Sequence, residues 1–153
     1  MIITRAEMED TKEILDLQKL AYRSEAEIYH DDMIPPLTQT LEEIRGDFER
    51  QVFLKASVEG KIIGSVRAHL REGTCFIGRL IVHPGFQRRG IGTKLMEEVE
   101  RVFGQALRFE LFTGQKSEQN ISFYKRLGYQ PFKIEKVNER LALLHMEKVL
   151  MNR

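Results

Sequence analysis

The chain has 153 residues, 42% of them apolar and 31% charged, the balance of one folded domain around a single core. Its 24 basic and 23 acidic residues leave a net charge of +1, so no nucleic-acid or membrane-surface partner is expected. Cys75 is the single cysteine, which excludes an internal disulfide, and no group of Cys and His has the spacing of a metal site. The start of the chain holds no long apolar run and turns acidic at once, so no signal peptide is expected there. No stretch nears the ~20 apolar residues of a membrane span. A cytoplasmic protein without a metal is the resulting expectation.

Ile2 to Arg5 reads as a short strand. A helix follows from around Met8 to Asp10, with Ile14, Leu15, Leu17, Leu20 and Ala21 on one face. That pattern fades after Tyr22, and Pro35-Pro36 breaks any helix there. Thr40 and Glu43 form a capping box that opens a second helix through Ile44 towards Phe48. Val52 to Val58, Ile62 to Leu70 and Cys75 to Val82 read as three strands joined by tight turns at Glu59-Gly60 and Glu72-Gly73. A basic, glycine-rich turn then leads into a helix whose apolar stripe runs Ile91, Leu95, Met96, Val99, Val102 and Phe103, stopped by Gly104. In the next strand Leu107, Phe109 and Leu111 alternate with Arg108, Glu110 and Phe112. Ser117 is placed to cap a helix carrying Ile121, Phe123, Tyr124 and Leu127, which Gly128 ends. Tyr129 to Lys136 and Leu141 to Lys148 close the chain as strands. The order β-α-α-β-β-β-α-β-α-β-β makes an α+β layer fold: a mixed, mostly antiparallel sheet of six to seven strands with about four helices. It fills a single domain, 1–153.

The turn Gln87-Arg88-Arg89-Gly90-Ile91-Gly92 has the character of an anion site. N–H groups at a helix start lack partners within the helix and lie at the positive end of its dipole, and glycine lets an anion approach them. Two phosphate motifs fail here. Gly85 and Gly90 have the glycine spacing of a nucleotide-triphosphate loop, but Ile91-Gly92 stands in place of Lys-Ser/Thr. Gly90 and Gly92 begin a dinucleotide fingerprint, but Leu95 replaces its third glycine.

The run from Val82 to Gly92 resembles the acetyl-coenzyme A signature of the GNAT family of N-acetyltransferases, Gln/Arg-x-x-Gly-x-Gly/Ala after a strand. The run from Asn120 to Tyr129 is similar to that family's second motif, an Asn and a Tyr on a helix ending in Gly-aromatic. The order of elements matches from Ile2 to Leu150. The resemblance implies a GNAT-like fold, acetyl-coenzyme A as cosubstrate, and direct transfer of the acetyl group to a primary amine. It implies that Gln87, Arg88, Arg89, Gly90, Ile91, Gly92 and Thr93 bind the pyrophosphate, mostly through main-chain N–H groups. The main chain of Leu80, Ile81 and Val82 would pair with the pantetheine arm, their side chains being core. Asn120 would also hold that arm, and Tyr124 would bind the cofactor and protonate the leaving thiolate.

The base that takes the amine proton is open. Some members of the family it resembles carry a Glu on the strand before the glycine turn, where this chain has Cys75-Phe76-Ile77. Glu110 ranks first, because its alternation with Phe109 and Leu111 puts it on the strand beside the cofactor gap; Glu25, Glu72 and His69 are alternatives. His83 reads as a loop residue. In such folds the first two helices and their loop wall the acceptor site. Here that segment carries Glu25, Glu27, Asp31 and Asp32 with Tyr29 and His30, so Glu25 and Tyr29 are the acceptor-binding candidates. The expected acceptor is a small molecule before a protein; a polyamine, an amino acid, an antibiotic or a protein amine would each fit. A homodimer through the closing strands is an option the fold offers. A non-catalytic acyl-coenzyme A-binding module on the same fold is the alternative function.

Overall fold

The computed structural model describes residues 1–150. One seven-stranded sheet runs through it in the order β1-β2-β3-β4-β5-β7-β6, formed by β1 (Ile2–Arg5), β2 (Val52–Val58), β3 (Lys61–Arg71), β4 (Thr74–Val82), β5 (Arg108–Gly114), β6 (Gln130–Lys136) and β7 (Ala142–Val149). Every neighbouring pair is antiparallel except β4 and β5. The mixed, mostly antiparallel α+β sheet expected from the sequence is the one observed.

Helices cover both faces. On one side lie α1 (Thr11–Ala21), α2 (Arg23–Tyr29), α3 (Pro35–Thr38) and α4 (Leu41–Arg50); on the other, α5 (Ile91–Val102) and α6 (Glu118–Arg126). The stripe of α5 buries Ile91, Leu95, Met96 and Val99 against Ile63, Val66, Cys75 and Ile77. Each such side chain contributes roughly 1.5–3 kcal/mol through removal from water. Val102, at the margin of that stripe, stays exposed. The first face is held by Ile14, Leu15, Leu17 and Ile44 against Phe53, Ile62 and Ile81.

Three local outcomes differ from the sequence reading. Pro35 and Pro36 do not end a helix but begin α3, where a missing N–H costs nothing and the fixed φ suits the first turn. The segment after Tyr22 is helical as well, and α2 ends at His30 in a left-handed conformation (φ 51°). Leu107 lies outside β5 and is exposed; its N–H donates to the Gly73 carbonyl instead of to a strand neighbour.

The central strand β4 changes character halfway. Cys75 and Ile77 face α5, as alternation requires. Arg79 then takes φ 51° and the register with β3 slips, Arg67 pairing with Gly78 but Ser65 with Ile81. The extra residue is a β-bulge, and it reverses the faces taken by the rest of the strand. Leu80 and Val82 now pack on the α5 side while Ile81 packs on the α1 side. The parallel pairing of β4 with β5 stops at Phe76 opposite Glu110. Beyond that point the two strands part.

Candidate functional site

The parting of β4 and β5 opens into a cavity of about 990 Å³. Its walls come from β4 (Ile77 to Val82), the turn and first residues of α5, β5 (Leu111 to Gly114), α6 and the α1–α3 segment. Three physical features of the chain make it. The strands separate, so the β5-facing edge of β4 after Phe76 has no strand partner. Gly78 contributes no side chain, and a Cβ there would meet nothing within 4 Å. The start of α5 opens onto the same space.

At that start the main chain turns sharply. Arg88 has φ 63° and Gly90 φ 80°, both left-handed. The first bond back to the turn is from the Lys94 N–H to the Gly90 carbonyl at 3.1 Å. The N–H groups of Ile91, Gly92 and Thr93 therefore sit in the first helical turn without intrahelical acceptors, at the positive end of the α5 dipole. Gln87, Arg88, Gly90, Ile91, Gly92 and Thr93 all line the cavity. Arg89 is not among its walls, and its guanidinium stacks over the Phe86 ring at 5.1 Å. Gly92 is needed for packing too, since a Cβ would stand 3.3 Å from the Phe123 ring.

Tyr124, from α6, faces the cavity with its ring against Phe123 and Tyr129. Its hydroxyl makes no hydrogen bond among the described residues. Burial raises its ionisation above the ordinary tyrosine value of 10.0, and the neighbouring Tyr22 and Glu25 push the same way. The phenol thus keeps its proton at neutral pH.

Glu25 and Tyr29 meet the other wall through one network. The Ser117 hydroxyl donates to Glu25 Oε2 at 2.5 Å, and Asn120 Nδ2 donates to Glu25 Oε1 at 3.0 Å. The Tyr29 hydroxyl is 2.8 Å from Ser117 Oγ and accepts from the Lys116 N–H at 2.9 Å. Tyr29 is only 3% exposed, so its polar atom is already engaged and its part is to tie α2 to the β5–α6 loop. Ser117 stands at the N-cap position of α6, as its sequence position suggests, but its hydroxyl does not cap the helix. It is diverted to Glu25. Asn120 also donates to Thr113 Oγ1 at 3.3 Å, which leaves its carbonyl oxygen without a protein donor among the described residues. Glu27, Asp31 and Asp32, grouped with Glu25 in the sequence reading, are not among the cavity's walls.

Glu110 is placed away from the cavity. Alternation along the strand predicts a place beside the cofactor gap, but β4 and β5 are still paired at Glu110 and the gap opens only after it. Its carboxylate binds Arg108 at 2.8 Å and lies 3.7 Å from His145 Nδ1 on the outer face of the sheet. His69 and Glu72 also lie outside the cavity.

Tyr22 and Arg79 are among the cavity residues that the sequence does not single out. Burial raises the Tyr22 ionisation; the Arg79 charge opposes that shift and the Glu25 charge reinforces it. Tyr22, Arg79 and Glu25 line the same cavity. The signal for Arg79 was available, because it is the one charged residue in the run Cys75 to Val82.

The model of the acetyltransferase (GNAT) family matches residues 11–129. The chain belongs to that family. Among curated proteins, this GNAT chain is 33% identical over 132 residues to UPF0157 protein YqkA of Bacillus subtilis (strain 168). That match covers 86% of the chain and 38% of YqkA, so the GNAT chain spans about two-fifths of the relative's length. Among solved structures, the PaiA N-acetyltransferase of Thermoplasma acidophilum in complex with coenzyme A has a TM-score of 0.77 at 18% identity, covering 98% of this chain and 100% of that one. YncA of Salmonella typhimurium, with its cofactor acetyl-CoA, has a TM-score of 0.77 at 18% identity, covering 100% of this chain and 95% of that one. At these identities the structural likeness is one of GNAT fold.

Proposed function

We propose that this protein moves an acetyl group from acetyl-coenzyme A directly to the primary amine of an acceptor, a small molecule rather than a protein. The observation that carries the reading is the parting of β4 and β5 beyond Phe76. It joins the free N–H groups of the α5 turn and the Tyr124 hydroxyl in one cavity.

The residues present suit the cofactor. The first-turn N–H groups of α5, with the Arg88 side chain near, match a pyrophosphate. The unpaired edge of Leu80 to Val82 matches the amides of a pantetheine arm, as an added strand would. The Asn120 carbonyl oxygen is free to accept from the same arm. The cofactor's thioester supplies the acyl group.

For transfer, the amine nitrogen forms a bond to the acyl carbon and the carbon–sulfur bond breaks. The leaving thiolate takes the Tyr124 proton, which burial has kept on the phenol. The amine must also shed a proton. Glu25 is the carboxylate that both lines the cavity and acts electrostatically on Tyr124, so it accepts that proton through water. Ser117 and Asn120 each donate to one of its oxygens, which fixes its orientation in the cavity wall. Glu110 has no part in this scheme.

Calorimetry with acetyl-coenzyme A, ATP and NAD tests the cofactor: the first binds and the other two do not. Comparable binding of ATP or NAD would overturn the assignment. Binding of acetyl-coenzyme A with no amine-dependent release of thiol would favour a non-catalytic acyl-coenzyme A-binding module instead.

A further inference from the structure

We infer that Arg79 seats a carboxylate of the acceptor, so that the acetylated amine belongs to a small aminocarboxylate such as an amino acid. This rests on the acetyl-transfer reading and adds the acceptor's chemical class.

Arg79 is an uncompensated cation in a half-buried place. It forms no ion pair among the described residues, its Nε is buried without a partner, and the polar group beside it is the neutral Tyr22 hydroxyl. The Nε is closed off, so a ligand anion would meet this charge at the terminal guanidinium nitrogens, and a site built to pair that charge gains specificity. A second arginine makes the contrast. Arg67, on β3, is near enough to Arg79 for the two charges to oppose each other. Yet Arg67 is satisfied, by Asp47 at 3.1 Å, by Gln18 at 2.7 Å and by the Phe53 ring beneath it. Two guanidinium groups thus lie together, and only one has its anion.

The protein does not supply the second anion. Glu25 shares the cavity, but Ser117 and Asn120 hold it, and it forms no ion pair with Arg79. Nor does the cofactor's pyrophosphate suit, because its donors begin beyond the end of β4. From Arg79 to Val82 is about 10 Å of strand, and the turn comes after that. The left-handed bulge at Arg79 is a strained conformation of the kind held at ligand sites, and it sets this residue in the cavity wall.

Tyr22, Glu25, Arg79 and Tyr124 all line the one cavity, so an acceptor whose carboxylate meets Arg79 presents its amine to the space that holds Tyr124 and Glu25. A polyamine or polycationic antibiotic would bring more positive charge to an unpaired arginine.

The test is calorimetry on protein saturated with coenzyme A, using a panel of amino acids, each beside its amide and its decarboxylated amine. At least one acid should bind ~10-fold or more tighter than both analogues, as charge-assisted hydrogen bonds allow. Arg79→Gln should abolish the preference, Arg79→Lys should keep part of it, and coenzyme A affinity should stay within ~3-fold. If no acid is preferred by the natural protein, or the preference survives in Arg79→Gln, the inference is overturned. The first comparison needs no variant, so misfolding of Arg79→Gln does not shield it. If the preference is present but no thiol is released with acetyl-coenzyme A, the carboxylate seat stands and the acetyl-transfer reading fails.

Discussion

The Tyr29 hydroxyl occupies the space that any side chain at position 114 would need. A Cβ built on Gly114 would lie 1.9 Å from that oxygen and 2.4 Å from the ring carbon bearing it. The contact locks α2 over the end of β5, and the bonds from Tyr29 to Lys116 and Ser117 fasten the lock. Glu25, one turn earlier on α2, owes its place to this closure. Gly114→Ala should therefore cost ~2 kcal/mol or more and weaken acceptor use. Tyr29→Phe should cost ~1–3 kcal/mol by stranding a buried N–H and a hydroxyl. Chemical denaturation of both variants measures this; a Gly114→Ala variant as stable as the natural protein would show that α2 is free to move.

Ser117→Ala should act through Glu25 rather than through the helix it begins. The hydroxyl does not cap α6, so the change should leave helicity by circular dichroism unchanged. Loss of the bond to Glu25 should lower kcat several-fold, because the carboxylate loses the donor that fixes its place in the wall. A lowered kcat with unaltered helicity is the expected pair of results, and an unchanged kcat counts against Glu25 as the proton acceptor.

Much of this arrangement was legible in the sequence, and the reasons are local. The α5 stripe from Ile91 to Phe103 is set by 3.6-residue periodicity, and Gly128, at φ 99°, ends α6 where only glycine fits comfortably. The capping box of α4 forms as written, with Thr40 accepting from the Glu43 N–H at 3.1 Å. What periodicity could not show is the bulge at Arg79, since one extra residue reverses the alternation without a marker in composition. Glu110 was misplaced for a related reason. Alternation says which face a residue takes, but not where two strands cease to pair.

Cys75 and its surroundings make a pH prediction. Burial, aided by the Glu100 charge, pushes its thiol from the ordinary 9.0 up to about 12. The folded state holds a proton that the unfolded chain releases, so this contribution is complete below pH 9 and is lost as pH rises towards 12. Buried Tyr129, whose hydroxyl donates to Glu100 at 2.8 Å, is also raised above its ordinary 10.0 and adds to the loss from pH 10 upward. Melting temperature should fall steadily from pH 9, and Cys75→Ala, though less stable at pH 7, should fall less steeply between pH 9 and 10. Parallel slopes for the two proteins would contradict this.

The glycine turn makes a prediction about binding alone. Gly90 is left-handed, but a Cβ there meets no neighbour, so Gly90→Ala brings backbone strain without a clash. The expected cost is ~1–2 kcal/mol, with coenzyme A affinity lowered ~10-fold as the N–H groups lose their aim. Isothermal calorimetry would show it; unchanged affinity would mean that the turn does not hold the pyrophosphate.

The central claim is that one cavity binds acetyl-coenzyme A and that Tyr124 protonates the departing thiolate within it. Its most direct test is Tyr124→Phe, followed by thiol release with the best amine acceptor and by calorimetry with coenzyme A. The account predicts that kcat falls ~10²-fold or more while coenzyme A affinity stays within ~3-fold, because the hydroxyl is needed for the proton and the ring for the fold. Turnover equal to that of the natural protein would contradict it.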